Sequence, residues 1–547
     1  MGFRFATVIS IFALAYAFLL FHLYSLQILS NQNYTAKAES QYAASGFLKA
    51  NRGGIYFTDK DGGKLPAVLN KNFPIIYAVP KGIEDPPEAA SLLAPVLHVP
   101  LKDLEKKLSK KDDLYELLIK KADLETVAKV KDFKLKGIYI DQESARFYPF
   151  GTLMSQVLGF VGPTDSSGEE TGHYGLESFY NSTLAGENDN ALVKSLVATK
   201  QGQDLNLTID ANIQIEAQKI LSRLVTSKNA KSGSVIVQDP KTGKILAFEN
   251  YPGFDPNNYG TYDLGLFSNP SVQGIYEPGS VFKIITMAAG IDSGKITPDT
   301  TFVDTGVLKV SGREIKNWDL KAHGKITMTN VIEQSVNTGA AFAERETGHI
   351  IFKKYLQTFG LEEKTGIDLP GELNGDLKRL KTGAPEVAFA TASFGQGVAI
   401  TEIELLNAFS SIANGGHLMT PYLNSDLKPK EIRRTVSATT AQKVAQMMVS
   451  AVDKAEIGKI NGYRLAGKTG TAQVPDFKKG GYTDKVINTY LGFGPVSDAK
   501  FVILIRLNEP EGAPLAGTTV VPAFRSLAQF ILNYYNLPPD RIRQVQN

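Results

Sequence analysis

The 547-residue chain contains no cysteine, and this excludes disulfide bonds, a thiol nucleophile and cysteine-ligated zinc sites. Histidine is scarce as well: the six histidines are scattered, and none forms a His-Glu-x-x-His pair. Gly-x-Ser-x-Gly sequences and glycine-rich phosphate-binding loops are missing too. We therefore expect no metal site, no cofactor and no histidine-dependent hydrolase chemistry.

An excess of charge of one sign is also missing, because 59 basic and 56 acidic side chains give a formal net charge of +3. A nucleic-acid-binding surface would need a strong basic excess, so we expect no nucleic-acid partner. The apolar and charged fractions, 43% and 21%, are ordinary for a globular protein. A chain of this length has room for two or more domains.

A long hydrophobic run lies at the N-terminus. Residues 5–29 are mostly apolar, and no charged residue occurs between Arg4 and Lys37. A helix of this length would cross the ~30 Å hydrocarbon core of a bilayer, and Arg4 favours a cytoplasmic N-terminus. A cleaved signal peptide is the alternative, but the apolar run continues well past the small residues around Ala15. We therefore expect a cytoplasmic tip and an uncleaved transmembrane anchor over residues 1–30.

A separate module is predicted over residues 31–200. It would begin with a polar helix over residues 32–41 and a short strand that leads to a turn over residues 52–63. From residue 88 to residue 136 the pattern is helical and densely charged, which is typical of solvated helix faces. The leucines at helical spacing are Leu101, Leu104, Leu108, Leu114, Leu117 and Leu118.

A second domain, over residues 201–547, is predicted to start near Asp204. Its predicted elements are a strand over 205–209, an amphipathic helix over 213–225, a hairpin of 234–238 and 245–248, a helix from Thr401 to Ala413, and strands over 488–493 and 501–507. Thr401 and Glu404 form a capping box at the start of that helix. Strands that flank a long helical middle predict an α+β fold, with helices packed on a mainly antiparallel sheet.

Three short motifs occur in one order: Ser280-Val-Phe-Lys283, Ser335-Val-Asn337 and Lys468-Thr469-Gly470. Ser-x-x-Lys also occurs at Ser425, before a proline, and at Ser497, in a predicted turn between strands. Ser280 differs, since it follows Glu-Pro-Gly and precedes apolar residues at helical spacing. We therefore place Ser280 in the first turn of a buried helix.

Lys-Thr-Gly likewise occurs four times. The sequences at Lys241, Lys364 and Lys381 lie in predicted turns or loops, where glycine supplies backbone freedom. Lys468 instead lies in an extended segment that is followed by two strand patterns. A strand that pairs with further strands can offer a sheet edge to which an extended substrate binds.

The spacing of Ser280 and Lys283 puts both side chains on one helix face. A serine hydroxyl becomes a good nucleophile when a neighbouring base takes its proton. Lys283 would be that base if its pKa is lowered, and burial and a second cation, Lys468, would both lower it. The N-terminus of the helix also favours negative charge at Ser280.

The other motif residues suggest substrate contacts. Ser335 lies in a predicted helix over residues 329–345, where its hydroxyl would relay a proton to the leaving group and the amide of Asn337 would bind a substrate carbonyl. A polar helix face is the alternative, since Ser227-Lys-Asn229 shows the same pattern.

The Lys-Thr-Gly segment would bind the substrate chain. Lys468, Thr469 and Thr471 offer a charge and hydroxyl groups for a substrate carboxylate. Gly470 would let the substrate backbone approach as an added strand. The main-chain N–H groups of Ser280 and Thr471 are the candidates for an oxyanion hole.

These motifs, in this order, resemble those of class B penicillin-binding proteins, which are membrane-anchored peptidoglycan D,D-transpeptidases. The resemblance covers nearly the whole chain, and further segments carry it: Arg52-Gly-Gly-Ile55, Arg146-Phe-Tyr-Pro149, Gly175-Leu-Glu177, Gly395-Gln-Gly397 and Gly517-Thr-Thr-Val-Val-Pro522. It implies an N-terminal transmembrane helix, an elongated mixed α/β pedestal or dimerisation module, and a penicillin-binding transpeptidase domain. That domain would have an antiparallel sheet with helices on its faces and an all-helical subdomain.

The resemblance also implies the reaction and its partners. Ser280 would attack the penultimate D-Ala of a pentapeptide stem and expel the terminal D-Ala, and an amine of a neighbouring stem would then take the acyl group. β-Lactams would acylate the same serine. The implied partners are peptidoglycan stem peptides, the membrane, a separate glycosyltransferase and other division or elongation proteins. The catalytic domain would be periplasmic or extracytoplasmic, anchored in the bacterial cytoplasmic membrane.

Several alternatives remain within this resemblance. The segments at residues 161–175 and 315–318 favour a division role over an elongation role. A carboxypeptidase or β-lactamase would hydrolyse the acyl-enzyme, but the large N-terminal module and the anchor argue against a β-lactamase. A non-catalytic scaffold or β-lactam sensor is the remaining hypothesis, and the intact set of motifs argues against it.

Overall fold

The computed structural model describes residues 16, 18, 19, 51–110, 112–164, 170–186, 201–476, 478–512 and 515–541. The predicted helix over residues 32–41 lies outside these residues, as does nearly all of the predicted transmembrane segment. In the described part of the chain, no helix is both long enough and apolar enough to cross a membrane. The chain forms two compact units. The first consists of Met1–Arg52, Leu69–Phe147 and Ala185–Gly202, and the second of Gly53–Val68, Tyr148–Leu184 and Gln203–Asn547.

The strands of the described residues are numbered in chain order. They are β1 (Ile55–Thr58), β2 (Lys64–Ala78), β3 (Glu116–Ile119), β4 (Ile138–Phe147), β5 (Phe160–Pro163), β6 (Glu170–His173), β7 (Leu205–Asp210), β8 (Ser232–Gln238), β9 (Ile245–Tyr251), β10 (Thr301–Asp304), β11 (Val307–Val310), β12 (Arg313–Lys316), β13 (Gly324–Thr327), β14 (His417–Met419), β15 (Glu431–Arg434), β16 (Ala466–Pro475), β17 (Tyr482–Gly494) and β18 (Phe501–Asn508).

The α-helices of the same residues are numbered likewise. They are α1 (Pro86–Leu97), α2 (Leu101–Leu108), α3 (Leu124–Asp132), α4 (Ser155–Leu158), α5 (Gly175–Phe179), α6 (Asn181–Ala185), α7 (Ala211–Ser227), α8 (Pro270–Gln273), α9 (Lys283–Asp292), α10 (Met328–Gln334), α11 (Asn337–Thr347), α12 (His349–Thr358), α13 (Glu386–Ala392), α14 (Glu402–Ala413), α15 (Ala438–Ala455) and α16 (Ala516–Tyr534).

The first unit is built on a sheet in which β2 pairs antiparallel with both β4 and β3. Helices α1, α2 and α3 bury their apolar residues with Ile76 and Ala78 of β2 in one core. Asp85 and Asp123 accept main-chain N–H groups at the starts of α1 and α3, which caps both helices.

The prediction that residues 88–136 are helical throughout is wrong for β3. Leu117 and Ile119 lie opposite Tyr77 and Ile76 of β2, and Leu118 enters the helical core. A short apolar run has no periodicity that separates a strand from a helix, so pairing with β2 decides it.

The second unit contains an antiparallel five-stranded sheet in the order β16-β17-β18-β8-β9. Successive residues of a strand point to opposite faces. Val235 and Val237 of β8 therefore join the core under α7 and α16, whereas Ile236 joins the core that contains α9, α14 and α15. The predicted strands, the hairpin and the helices over residues 213–225 and 401–413 are confirmed, and so is the α+β class with helices on both faces of an antiparallel sheet.

The segment between β9 and β16 is mainly helical. The expectation of an all-helical subdomain is wrong, because three two-stranded sheets, β10-β13, β11-β12 and β14-β15, lie within it. Two of these sheets have a role in placing the motif residues, because β12 ends at Lys316 and β10 ends at Asp304, beside the start of α11.

Candidate active site

Ser280 lies in a 3₁₀ turn, Gly279–Phe282, that runs directly into α9. Gly279 has a φ of +64°, a conformation that glycine adopts without steric cost. One turn later, the amine of Lys283 lies 3.1 Å from the hydroxyl of Ser280. The expected placement of both side chains on one helix face is confirmed, with a 3₁₀ rather than an α-helical first turn.

Ser335 lies at a break between two helices. The expected continuous helix over residues 329–345 is wrong: α10 ends at Gln334, Ser335 has a φ of +56°, and α11 begins at Asn337. A left-handed conformation is uncommon for serine and persists where the surrounding structure determines it. The break brings the carbonyl and hydroxyl oxygens of Ser335 to 2.6 and 3.1 Å from the Lys283 amine.

Asn337 completes the surroundings of the Lys283 amine from the start of α11. Its side-chain oxygen accepts a hydrogen bond from that amine at 2.9 Å, and its side-chain amide donates to the carbonyl of Lys316 at 2.9 Å. The orientation of the Asn337 amide is therefore fixed from both sides.

Lys468 joins the same cluster from β16, which is an edge strand of the five-stranded sheet. Its amine donates hydrogen bonds to the hydroxyl of Ser335 and to the carbonyl of Thr469, both at 3.0 Å. Strand alternation directs Lys468 and Gly470 inward and leaves Thr471 exposed. The structure thus brings together the five predicted side chains of Ser280, Lys283, Ser335, Asn337 and Lys468.

Burial and charge both act on the two lysines. Lys283 is fully buried, and this burial together with the Lys468 cation holds its pKa well below the ordinary range. Burial lowers the pKa of Lys468 to about 7. A neutral Lys283 has a free electron pair with which to take the Ser280 proton, so the geometry and the protonation state suit nucleophilic catalysis.

Gly470 packs directly against the turn that carries Ser280. A Cβ atom at this position would lie 3.0 Å from the carbonyl oxygen of Pro278 and 3.1 Å from Val281 Cγ1. The absence of a side chain at Gly470 therefore leaves room for the Ser280 turn. The sequence pattern suggested only that Gly470 would let a substrate backbone approach. The neighbouring Thr471 accepts a hydrogen bond from the main-chain N–H of Ala516 at 3.3 Å.

Comparison with known proteins decides the family. Residues 233–529 match the Penicillin binding protein transpeptidase domain, and residues 47–210 match the Penicillin-binding Protein dimerisation domain. The chain belongs to the class B penicillin-binding proteins. Stage V sporulation protein D of Bacillus subtilis is 31% identical over 528 residues, which cover 90% of this chain and 80% of that protein.

Two further relatives agree with this assignment. Peptidoglycan D,D-transpeptidase FtsI of Escherichia coli is 27% identical over 562 residues, with 98% of this chain and 93% of that protein covered. Penicillin binding protein 3 of Mycobacterium tuberculosis, solved in complex with aztreonam, has a TM-score of 0.67 and 26% identity, and covers 90% of this chain and 98% of that one. The predicted class B family, its septal type and the serine D,D-transpeptidase class are confirmed.

One group of residues in this class B protein, around Glu277, is not indicated by any sequence pattern. The Glu277 carboxylate accepts the N–H of Gly397 at 2.9 Å and the hydroxyl of Tyr482 at 2.8 Å, and the carbonyl of Gly395 accepts the N–H of Gly279 at 3.1 Å. These bonds connect the Ser280 turn to the Gly395-Gln-Gly397 loop and to the start of β17. In the sequence, Glu277 is recognised only as one of the residues that precede the Ser280 helix, because its hydrogen-bond partners are distant in sequence.

The competing motif copies lie elsewhere. Ser497 is in the turn between β17 and β18, where its hydroxyl donates to Asp540 at 2.9 Å. Lys241 forms an exposed ion pair with Asp498. Gly243 and Gly366, with φ values of +86° and +79°, are turn glycines. Ser280 and Lys468 instead lie in the cluster with Lys283 and Ser335, and their roles as nucleophile and substrate-binding cation stay predictions.

Proposed function

We propose that this class B penicillin-binding protein cross-links peptidoglycan stem peptides at division, with Ser280 as the acylated nucleophile. The observation that carries the proposal is the 3.1 Å contact between the Ser280 hydroxyl and the amine of the buried Lys283. In the acylation step, Lys283 takes the hydroxyl proton while Ser280 Oγ bonds to the carbonyl carbon of the penultimate D-Ala. The C–N bond to the terminal D-Ala then breaks, and free D-Ala leaves.

The proton for the leaving D-Ala nitrogen comes through Ser335, whose hydroxyl lies between the amines of Lys283 and Lys468. In the second step, neutral Lys283, which has passed its first proton through Ser335 to the departed D-Ala, takes a proton from the amine of a neighbouring stem as that amine attacks the acyl carbon. Lys283 gives this proton to Ser280 Oγ as the ester bond breaks, so that the amide product and free Ser280 are formed. Asn337 would bind a substrate carbonyl, and the N–H groups of Ser280 and Thr471 would stabilise the oxyanion. Lys468, Thr469 and Thr471 would hold the terminal carboxylate beside Gly470.

The remaining parts of the chain fit an anchored enzyme. Residues 1–30 would form the membrane anchor, residues 31–200 the pedestal module and residues 201–547 the transpeptidase domain. The hydrophobic run over residues 5–29 supports a location in the cytoplasmic membrane, with the active site outside the cytoplasm. A separate glycosyltransferase and other division proteins would be its partners.

Intact mass of the full-length chain after incubation with benzylpenicillin tests the nucleophile. We expect one stable adduct on the wild type, none on Ser280→Ala, and a normal adduct on Ser425→Ala, in which one of the two other Ser-x-x-Lys serines is removed. An adduct that persists in Ser280→Ala would assign the nucleophile elsewhere. A failure of the wild type to form any adduct would favour the scaffold hypothesis.

A second assay tests the acceptor. Incubation with a pentapeptide and an amine acceptor should release D-Ala and yield the amide product. Release of D-Ala with only the hydrolysed tetrapeptide would indicate a carboxypeptidase, and fast loss of the penicillin adduct would indicate a β-lactamase.

A further inference from the structure

The start of α11, which carries Asn337, is capped by a side chain from a distant loop. Val336, the residue before the helix, has no side-chain capping group. Asn317 Oδ1 instead accepts hydrogen bonds from the main-chain N–H groups of Asn337 at 3.0 Å and Thr338 at 3.2 Å. The first N–H groups of a helix have no partner within the helix, so Asn317 supplies what the local sequence lacks.

Asn317 is itself fixed by a buried carboxylate. Asn317 is 1% exposed, and its side-chain amide donates to Asp304 Oδ2 at 2.8 Å. The same carboxylate accepts the hydroxyl of Thr338 at 2.7 Å and the main-chain N–H groups of Gly306 and His323, each at 2.9 Å. Burial opposes ionisation of Asp304, but these hydrogen bonds outweigh it and hold its pKa below the ordinary value.

The two neighbours of Asn317 contact the same helix break. The carbonyl of Lys316 accepts the side-chain amide of Asn337 at 2.9 Å, and the indole N–H of Trp318 donates to the carbonyl of Gln334 at 3.0 Å. Three consecutive residues therefore hold the end of α10 and the start of α11. Ser335, in its left-handed conformation, lies between these two points.

We propose that Asn317, held in place by Asp304, is a positioning residue of the transpeptidase reaction. It fixes the main chain at Asn337, and Asn337 in turn fixes the amine of Lys283 against the Ser280 hydroxyl. Asn317 acts through Asn337 and not on the substrate. The inference rests on the proposed function for its kinetic readout, but its structural consequence can be measured separately.

The kinetic test compares Asn317→Ala with the wild type, using the full-length chain and a fluorescent penicillin. Because a displacement of about 1 Å at an active site can cost about 100-fold in rate, we expect the limiting acylation rate to fall by about 10–100-fold. The penicillin concentration for half-maximal rate should change by less than about threefold. A merely structural role would instead lower the fraction of chains that become labelled and leave the rate of the remainder unchanged.

Asn257→Ala is the matched control. The side chain of Asn257 likewise binds a main-chain segment that is distant in sequence. It accepts the N–H of Tyr148 at 3.0 Å and donates to the carbonyl of Tyr148 at 2.9 Å. We expect this variant to keep the wild-type acylation rate. An equal loss of rate in both variants would overturn the proposal.

Two further measurements keep the proposal testable if Asn317→Ala does not fold. Thr338→Val keeps the shape of the side chain and removes the hydroxyl bonded to Asp304, and we expect a fall of about 3–10-fold in limiting rate. Hydrogen exchange of the Asn337 and Thr338 amides should be at least about 10-fold faster in whichever of these variants folds. Unchanged exchange overturns the proposal, even if the wild type forms no adduct and the proposed function itself fails.

Discussion

The amine of Lys468 donates a hydrogen bond to the hydroxyl of Ser335 across 3.0 Å, although 133 residues separate them in the sequence. The contact joins β16, an edge strand of the five-stranded sheet, to the break between α10 and α11. The same hydroxyl lies 3.1 Å from the amine of Lys283. A single serine therefore bridges two buried lysines.

Ser335→Ala removes the bridging hydroxyl. Because general acid–base groups contribute about 10²–10⁴-fold to rate, we expect D-Ala release from a pentapeptide to slow by that order. Ser227→Ala is the control, since Ser227 belongs to the other Ser-x-Asn sequence and donates only to the carbonyl of Leu224 in the hydrogen bonds seen for the described residues. A Ser335→Ala rate within about threefold of the wild type would rule out the relay.

Lys468→Met removes a cation that lowers the pKa of Lys283. The Lys283 pKa should then rise, so that a smaller fraction of the amine is neutral at any given pH. We expect the rising limb of the acylation rate against pH to move to higher pH. Stopped-flow acylation from pH 5 to pH 9 measures it, and a shift to lower pH would contradict the argument.

Gly470→Ala places a methyl group against the turn that carries Ser280. The added Cβ would lie 3.0 Å from the Pro278 carbonyl, so either β16 or the turn must shift by a few tenths of an ångström. We expect acylation to slow by about 10-fold, with little change in thermal stability. Gly265→Ala, where a Cβ meets no atom within 4 Å, should acylate at the wild-type rate.

Glu249 gives a prediction about stability. Burial raises the pKa of this carboxyl to about 8, despite hydrogen bonds from the Met154 N–H at 2.9 Å and the Gln214 amide at 2.7 Å. Between the unfolded value of 4.5 and about 8, the folded state binds a proton that the unfolded state has lost, so stability falls as pH rises through this window.

Glu249→Gln removes that titration and keeps an oxygen for the two donors. We expect its thermal unfolding midpoint to exceed that of the wild type at pH 9 and to approach it at pH 5. Differential scanning calorimetry at both values measures the difference. An advantage that is equal at the two pH values would mean that Glu249 is already ionised in the folded chain at pH 5.

The sequence by itself determined the candidate residues of the site and their local settings. Ser280 and Lys283 are one helical turn apart, and the apolar residues that follow fix which face is buried. The alternation in β16 sends Lys468 inward and Thr471 outward. These features follow from backbone periodicity, which acts over a few residues.

Only the tertiary structure decided how those parts meet. The left-handed conformation of Ser335, the strand at residues 116–119 and the packing of Gly470 on the Ser280 turn each depend on a partner far away in sequence. Asn317 caps α11 from 20 residues away because Val336 has no group to do so. Hydrogen-bond satisfaction and close packing operate between segments that only the fold brings together, and no local pattern encodes them.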